Sequence, residues 1–548
     1  MTAPSRRAFL KTIGGAGIFC ATPAIARGLG GPNAPSQPGD LVQISILHTT
    51  DLHGHILPTT NYAGTSNLGG FARCATQLQR WRRQNRNSIL IDVGDVYQGT
   101  EVGLRTNGQL MIDLFNYFQF DAWVVGNHEF DWGIETFTNA LTKSAMPVLA
   151  ANISAEGNST ANFSDSPRPR SKLRAYIVKE LDGIKVAIIG VTTPGMPFWF
   201  RPEFIRGLDF QHSVEPVRRA IQQAKSEGVN AIVLAGHMGF KSRGGGDDFA
   251  NNVVALTAEF PEVAAFIAGH THQLIPSHQS NGVLLTQADH FGIHAGRVDL
   301  TFDRATKKLL QREAHCELMD HQVRANHVVL SRAKPFLDES AAALRQPIGT
   351  LADTLHIHRR NGEPSEVEQL VGAAIVEELR QRGVRADGVL HGIFEEKDFE
   401  AGPKTVNDIW NLIPFENQVV TAALTSEEIK TMMEEIYASH EPRSLIGFDI
   451  QTQGSGANRR MTAIRLADGR LLERNERCAI AFNSFDSRSG GHRFMKLRAL
   501  LETPATTCTL HPVLTRDAII TYFRRHGVVH RIDGGKKPVA AVFSTHCG

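Results

Sequence analysis

The chain has little cysteine, almost no net charge and no long apolar run beyond its first 26 residues, and each shortage excludes something. Its six Cys in 548 residues show no CxxC spacing, which excludes a zinc knuckle. Cys20 falls in the N-terminal segment. Cys74, Cys316, Cys478, Cys508 and Cys547 remain, an odd number, so at least one is unpaired. A disulfide among the last three and a set of buried thiols are both open readings. Lys and Arg total 58 against 56 Asp and Glu. Three of the cations lie in the first 26 residues, where there is no acid, leaving 55 against 56. That balance points neither to nucleic acid nor to a membrane surface. No later segment is apolar enough to span a bilayer, and no internal repeat or low-complexity tract is evident.

The first 26 residues read as an export signal. Ser5-Arg6-Arg7-Ala8-Phe9-Leu10-Lys11 holds a twin arginine before a mildly apolar run from Thr12 to Ala21, and Ala24-Ile25-Ala26 offers a small-residue cleavage site. A spanning anchor would need a longer run with less Gly. The expected partner of this segment is the twin-arginine export machinery. The expected mature product is periplasmic or secreted, with no membrane anchor. Residues 27–41, rich in Gly, Pro and Ser, read as a flexible lead-in.

From there the pattern is α/β, on a length that predicts two or three domains. Strand-like runs fall at Val42–Leu47, Ser88–Val93, Ala122–Val125, Lys185–Val191, Ala231–Ala235, Phe266–Ala268, Val283–Thr286 and Gly296–Phe302. Helical patterns intervene at Phe71–Asn85, Gly108–Tyr117 and Val214–Glu227. The hairpin-like pair Val283–Thr286 and Arg297–Phe302 suggests partly antiparallel sheets. A first domain over 42–326, a helical connector over 327–345 and a second α/β domain over 346–548 are expected. In the second, Pro364–Arg382 and Thr425–Ser439 read as helices. Thr425 and Glu428 form a capping-box pair.

In the first domain, polar residues follow the apolar runs: Asp51-Leu52-His53, Gly94-Asp95, Gly126-Asn127-His128-Glu129, Gly236-His237 and Gly269-His270-Thr271-His272. Strands that end in this way build a site at the carboxyl edge of a sheet. One strand-end His is usually structural. Asp51, His53, Asp95, Asn127, His237, His270 and His272 together look like the ligands of a two-metal hydrolase centre. Mixed nitrogen and oxygen ligands suit two divalent ions such as Mn, Zn or Fe. Asp95 can bridge both ions, since each carboxylate oxygen has spare lone pairs. His128, with Asp131 three residues on, suits a His oriented by a carboxylate to stabilise or protonate a leaving oxygen. His48, His55, His290 and His294 lack this context and read as flanking residues. His290 and His294 could line a cleft without being ligands.

Leu47-His48-Thr49-Thr50-Asp51-Leu52-His53-Gly54, Gly126-Asn127-His128-Glu129-Phe130-Asp131 and Gly269-His270-Thr271-His272 resemble the motifs of calcineurin-type metallophosphoesterases. The resemblance is to their 5′-nucleotidase family, which includes bacterial periplasmic UDP-sugar hydrolases. It implies a four-layer α/β/β/α sandwich followed by an α/β substrate-binding domain. It assigns Asp51, His53, Asp95 and His272 to one metal, and Asp95, Asn127, His237 and His270 to the other. His128 and Asp131 become the catalytic dyad. UDP-sugar hydrolase-like members carry Gln where His272 stands, and His is a competent replacement. The implied reaction is hydrolysis of a small-molecule phosphate ester, a nucleotide in this family, by a hydroxide bridging the two ions.

The second domain keeps Ala401–Ile409, Ile413-Pro414-Phe415-Glu416-Asn417 and Phe482-Asn483-Ser484-Phe485. The resemblance implies that Phe415 and Phe485 stack on a nucleobase, although either ring would equally suit a core. Two departures stand beside this. The family's Asn-x-Gly-Gly-Ile-Arg reads Val389-Leu390-His391-Gly392-Ile393-Phe394 here, without its Arg. Its Gly-Gly-Asp-Gly-aromatic reads Gly490-Gly491-His492-Arg493-Phe494, so His492 occupies the place of an Asp. Arg488, Arg493 or Arg359-Arg360 could supply a replacement cation. The alternative for them is solvated surface charge.

Overall fold

A computed structural model describes residues 40–155, 172–241, 250–359, 363–393, 397–439, 443–466 and 468–532. The export segment, Cys547, Arg360 and Phe394 lie outside the described residues.

The chain divides into two compact units. The first comprises residues up to Glu129, Glu135–Pro194 and Gly207–Lys334. The second comprises Phe130–Ile134, Gly195–Arg206 and the chain from Pro335 onward. The expected connector is a helix, His327–Leu344, with Pro335 inside it, and the division falls at that proline. The two short segments belonging to the second unit interrupt what reads in the sequence as one continuous first domain.

The first unit holds two sheets. In one, Leu41–Thr49 runs parallel to Ser88–Asp92, which runs parallel to Ala122–Val124, and antiparallel to His294–Asp303. In the other, Ala231–His237 lies between Ile184–Thr192 and Ala265–Ala268, all parallel. Ile44, Ile46, Ile91 and Val124 of the first sheet share one buried cluster with Val186, Ile188, Val233 and Ile267 of the second. The opposite face of the second sheet buries Ile189, Leu234 and Phe266 against Val217, Ile221 and Leu256 of two helices. Helix Phe71–Gln84 packs on Leu41–Thr49 and His294–Asp303 of the first sheet. These are the α/β/β/α layers that the resemblance implied.

Both sheets are partly antiparallel, as the hairpin-like pair suggested, but the two runs do not pair with each other. Val283–Ala288 pairs with Ala265–Ala268 and Leu274–Ser280 in one sheet, whereas His294–Asp303 pairs with Leu41–Thr49 and Leu309–Leu318 in the other. Apolar periodicity identifies each strand correctly but carries no information about its partner. The short link Asp289–Ile293 crosses between sheets.

In the second unit a five-stranded sheet has the order Ser444–Ile446, Gly388–His391, Arg477–Asn483, Gln418–Thr425, Thr509–Leu514. Helix Glu366–Gln381 starts with a Ser365/Glu368 capping box, and helix Ser426–Ala438 with the Thr425/Glu428 box read from sequence. Cys74, Cys316, Cys478 and Cys508 are free thiols, so no disulfide forms among the described cysteines. Among the described residues, no helix is long and apolar enough to cross a membrane.

Candidate metal centre

The parallel strands of both sheets stop at one edge, and their last residues turn sharply. Asp51, His53, Asp95, His270 and His272 have φ of 50°, 48°, 56°, 71° and 53°. For residues with a Cβ this left-handed region costs on the order of 1–3 kcal/mol each, and it persists where surrounding contacts over-determine it. Those contacts are main-chain bonds between the loops. Asp51 N donates to Gly94 O at 2.9 Å, His53 N to Asp95 O at 2.8 Å and Gly54 N to Val96 O at 2.9 Å. Gly94, with φ 93°, has no room for a Cβ, which would come 2.6 Å from His237 Nδ1. A Cβ at Gly126 would collide with Asp95.

The side chains gather in two groups, Asp51 with His53 and His272, and Asp95 with His237 and His270. Asn127 Oδ1 joins the second group, 3.2 Å from His237 Nε2 and 2.8 Å from His270 Nδ1. Asp95 Oδ2 lies 3.1 Å from His237 Nε2 and 3.7 Å from His53 Nε2, so it faces both groups. Asp51 Oδ1 is 3.5 Å from His272 Nε2 and 4.0 Å from His237 Nε2. All seven residues singled out in the sequence therefore meet at this edge.

The outer ring nitrogens fix which atoms face inward. His237 Nδ1 lies 2.7 Å from Val93 O, and His53 Nδ1 lies 2.8 Å from Gln98 O. A carbonyl only accepts, so each Nδ1 carries a proton and each Nε2 faces inward, where it offers a lone pair whenever the ring is neutral. His237 Nε2 then faces the acceptor oxygens of Asp95 and Asn127. His53 Nε2 lies 3.0 Å from His272 Nε2. Converging lone pairs repel unless positive charge sits among them. This donor set fits two divalent cations with nitrogen and oxygen ligands.

The electrostatics agree. Burial pushes His53 and His270 down to about 3, which keeps them neutral, as a ligand imidazole must be. His237 goes the other way, up to about 9: burial opposes its charge, but Asp95 and Asp51 outweigh burial. The field that holds a proton there would also hold a cation. Burial likewise opposes the charge of Asp95, yet the imidazoles of His237, His128 and His53 hold its carboxyl well below the usual range.

Glu129 braces the centre, a role not visible in the sequence. Its carboxylate accepts from Asp95 N at 3.0 Å, Val96 N at 2.8 Å and Gly126 N at 2.7 Å. Burial and the Asp95 charge push it up to about 7. The signal was its place inside Asn127-His128-Glu129. Tyr62 also neighbours the site and was not legible, because it sits in an irregular loop with no periodicity to mark it; His290, read as able to line a cleft, does stack on His272 at 4.9 Å. His128 is half-buried, its N–H donates to Asp95 Oδ1 at 2.8 Å, and its ring lies edge-on to His53 at 5.2 Å. Asp131 is half-buried and belongs to the second unit.

The other candidates lie in the second unit. Phe415 is exposed and Phe485 half-buried. Arg488 already has work: its guanidinium donates to Phe200 O at 3.0 Å, Pro197 O at 2.8 Å and Glu502 at 2.9 Å. His492, with φ 68°, is exposed and packs edge-on to Phe198. Arg359 is bound to Glu368, and Arg493 donates to Gly490 O at 2.9 Å.

Residues 44–274 match the calcineurin-like phosphoesterase model, and residues 347–499 match the 5′-nucleotidase C-terminal domain. The chain is 25% identical over 518 residues to the endonuclease YhcR of Bacillus subtilis, covering 89% of this chain and 40% of that protein. It is 31% identical over 305 residues to a snake venom 5′-nucleotidase of Crotalus adamanteus, covering 52% of this chain and 47% of that one. The chain thus spans less than half the length of either relative. A crystal structure of a 5′-nucleotidase precursor from Thermus thermophilus shares the fold, with a TM-score of 0.68 at 22% identity over 90% of this chain and 98% of that one. With both domain models matched in order around a two-group ligand cluster, the chain belongs to the 5′-nucleotidase family of calcineurin-like metallophosphoesterases.

Proposed function

We propose that this protein is an exported phosphohydrolase that uses two divalent metal ions to cleave phosphate esters of 5′-nucleotides or related compounds. One observation carries the reading: inward-facing imidazole nitrogens meet the oxygens of Asp51, Asp95 and Asn127 in two adjoining groups. We assign Asp51, His53, Asp95 and His272 to one ion, and Asp95, Asn127, His237 and His270 to the other. Bound there, the ions would polarise phosphoryl oxygens and lower the pKa of a water. Glu129 holds the Asp95 and Gly126 loops in register through its three main-chain bonds. His128, its backbone fixed on Asp95, is assigned to protonate or stabilise the leaving oxygen. Asp131 is assigned to orient it. Phe415 and Phe485 are assigned to stack on a base. Export rests on the twin-arginine segment.

A second reading keeps the chemistry and changes the substrate to a cyclic nucleotide, a nucleotide sugar or a sulfur ester. It is favoured by the guanidinium bonds of Arg488 and Arg359, which commit both groups to protein partners. A binding protein without catalysis would have no use for His128 beside a full ligand set.

The test is reconstitution with Mn or Zn, followed by nucleoside monophosphates, bis(aryl) phosphodiesters, UDP-sugars and aryl phosphates. No turnover of any of them overturns the phosphoesterase reading. Turnover of aryl phosphate with no nucleotide preference overturns the nucleotide assignment. His128→Ala should retain both ions and lose roughly 10²–10⁴ in kcat. Loss of metal in that variant would show that His128 is a ligand instead.

A further inference from the structure

We infer that Tyr62 is a positioning residue for His272, holding that imidazole in the tautomer that turns Nε2 toward Asp51. The inference rests on the two-ion reading above. His53 and His237 present Nδ1 to main-chain carbonyls. His272 Nδ1 instead meets the phenol oxygen of Tyr62 at 2.7 Å. A phenol both donates and accepts. For Nε2 to offer a lone pair beside Asp51 Oδ1 and His53 Nε2, the proton must sit on Nδ1 and the phenol oxygen must accept it.

Tyr62 comes from an irregular loop and is 50% exposed, so something must hold its ring. His290 does. The two rings stack at 4.3 Å with 14° between planes, and His290 in turn stacks on His272 at 4.9 Å and 10°. Two near-parallel rings, Tyr62 and His290, thus flank the His272 imidazole. His290 is buried, and its Nδ1 bonds Asp289 Oδ1 at 2.5 Å, while Asp289 Oδ2 takes His294 Nδ1 at 3.0 Å. The turn that delivers these groups is strained. Asp289 and Phe291 have φ of 62° and 54°, and Phe291 N donates to Asp51 O at 2.7 Å. A bulky residue in that region marks a conformation held by its surroundings. Here it ties the His290 platform to the ligand loop itself.

Manganese titration of the metal-stripped protein by calorimetry, comparing wild type with Tyr62→Phe and Tyr62→Leu, tests this. Tyr62→Phe keeps the stacked ring and loses the acceptor. It should weaken one of two sites by about tenfold, the low end for losing a ligand's orienting partner. The other site and the Tm of the metal-free protein should not change. Tyr62→Leu should weaken the same site further. Two wild-type-like sites in Tyr62→Phe, or equal weakening of both, overturn the inference and leave the metal centre standing. A wild-type protein that takes up fewer than two ions overturns both.

Discussion

In the first unit, carboxylates and imidazoles converge with lone pairs facing one another. In the second, the buried guanidinium groups of Arg443 and Arg516 already have their carboxylates. Arg443 meets Asp486 with both groups almost fully buried, Arg516 meets Glu416 likewise, and Arg359 meets Glu368. The first arrangement needs charge from outside the chain, whereas the second is complete as it stands. The two units therefore arrange their charged groups on different terms. The ligand edge of the first unit is a set of donors suited to cations. In the second unit, Arg443, Arg516 and Arg359 are already committed to carboxylate partners.

The contrast breaks most sharply at Asp95. Its Oδ2 faces both ligand groups, so Asp95→Ala should strip both ions and lower hydrolysis by about 10⁴-fold, as several kcal/mol of charge stabilisation would require. Metal content by plasma emission and kcat by phosphate release check this. A variant that retained two ions would show that Asp95 does not bridge.

The next largest effect is in the second unit and concerns stability alone. Arg443 Nε and Nη2 bond Asp486 Oδ2 and Oδ1 at 2.7 and 3.0 Å. Arg443→Met leaves a buried carboxylate unpaired and should cost about 3–5 kcal/mol, whereas Arg443→Met with Asp486→Leu should recover most of it. Chemical denaturation reads both. Metal affinity should stay constant throughout, and a coupled loss would erase the distinction between the units.

Asp289 sharpens the comparison at acid pH. Burial opposes its charge, but the hydrogen bonds from His290 and His294 outweigh burial and pull it from 3.8 down to about 2. The folded state therefore binds this proton less tightly than the unfolded state does. Its contribution is full above about pH 4 and is lost as the pH falls through 2, worth about 2 kcal/mol. Asp289→Asn should lose that amount at pH 7 and show a flatter acid limb in the stability profile.

Much of the candidate metal edge was legible because each of its polar residues closes a short apolar run. Strand, Gly turn and polar residue lie within a few positions, so local sequence carries the whole device. Pairing was not legible: Val283–Ala288 and His294–Asp303 are near neighbours in sequence and members of different sheets. The work of Arg488 was hidden for the same reason, since its carbonyl partners at Pro197 and Phe200 are almost 300 positions away. Tyr62 was hidden because a loop position is fixed by what stacks on it, and His290 comes from the far end of the same unit.

The smallest effect tests what remains of recognition. Phe415 is 37% exposed, more than a core ring tolerates and enough to present a face. If it stacks on a base, Phe415→Ala should raise KM for a nucleoside monophosphate by about tenfold, within the ~1–3 kcal/mol expected for base–aromatic contact. KM for an aryl phosphate too small to reach the ring should hold, and so should Tm. Equal changes for both substrates would mean that Phe415 shapes the unit rather than reads the base. No change for either would leave recognition to Phe485 and to the neutral groups around Val389 and His391.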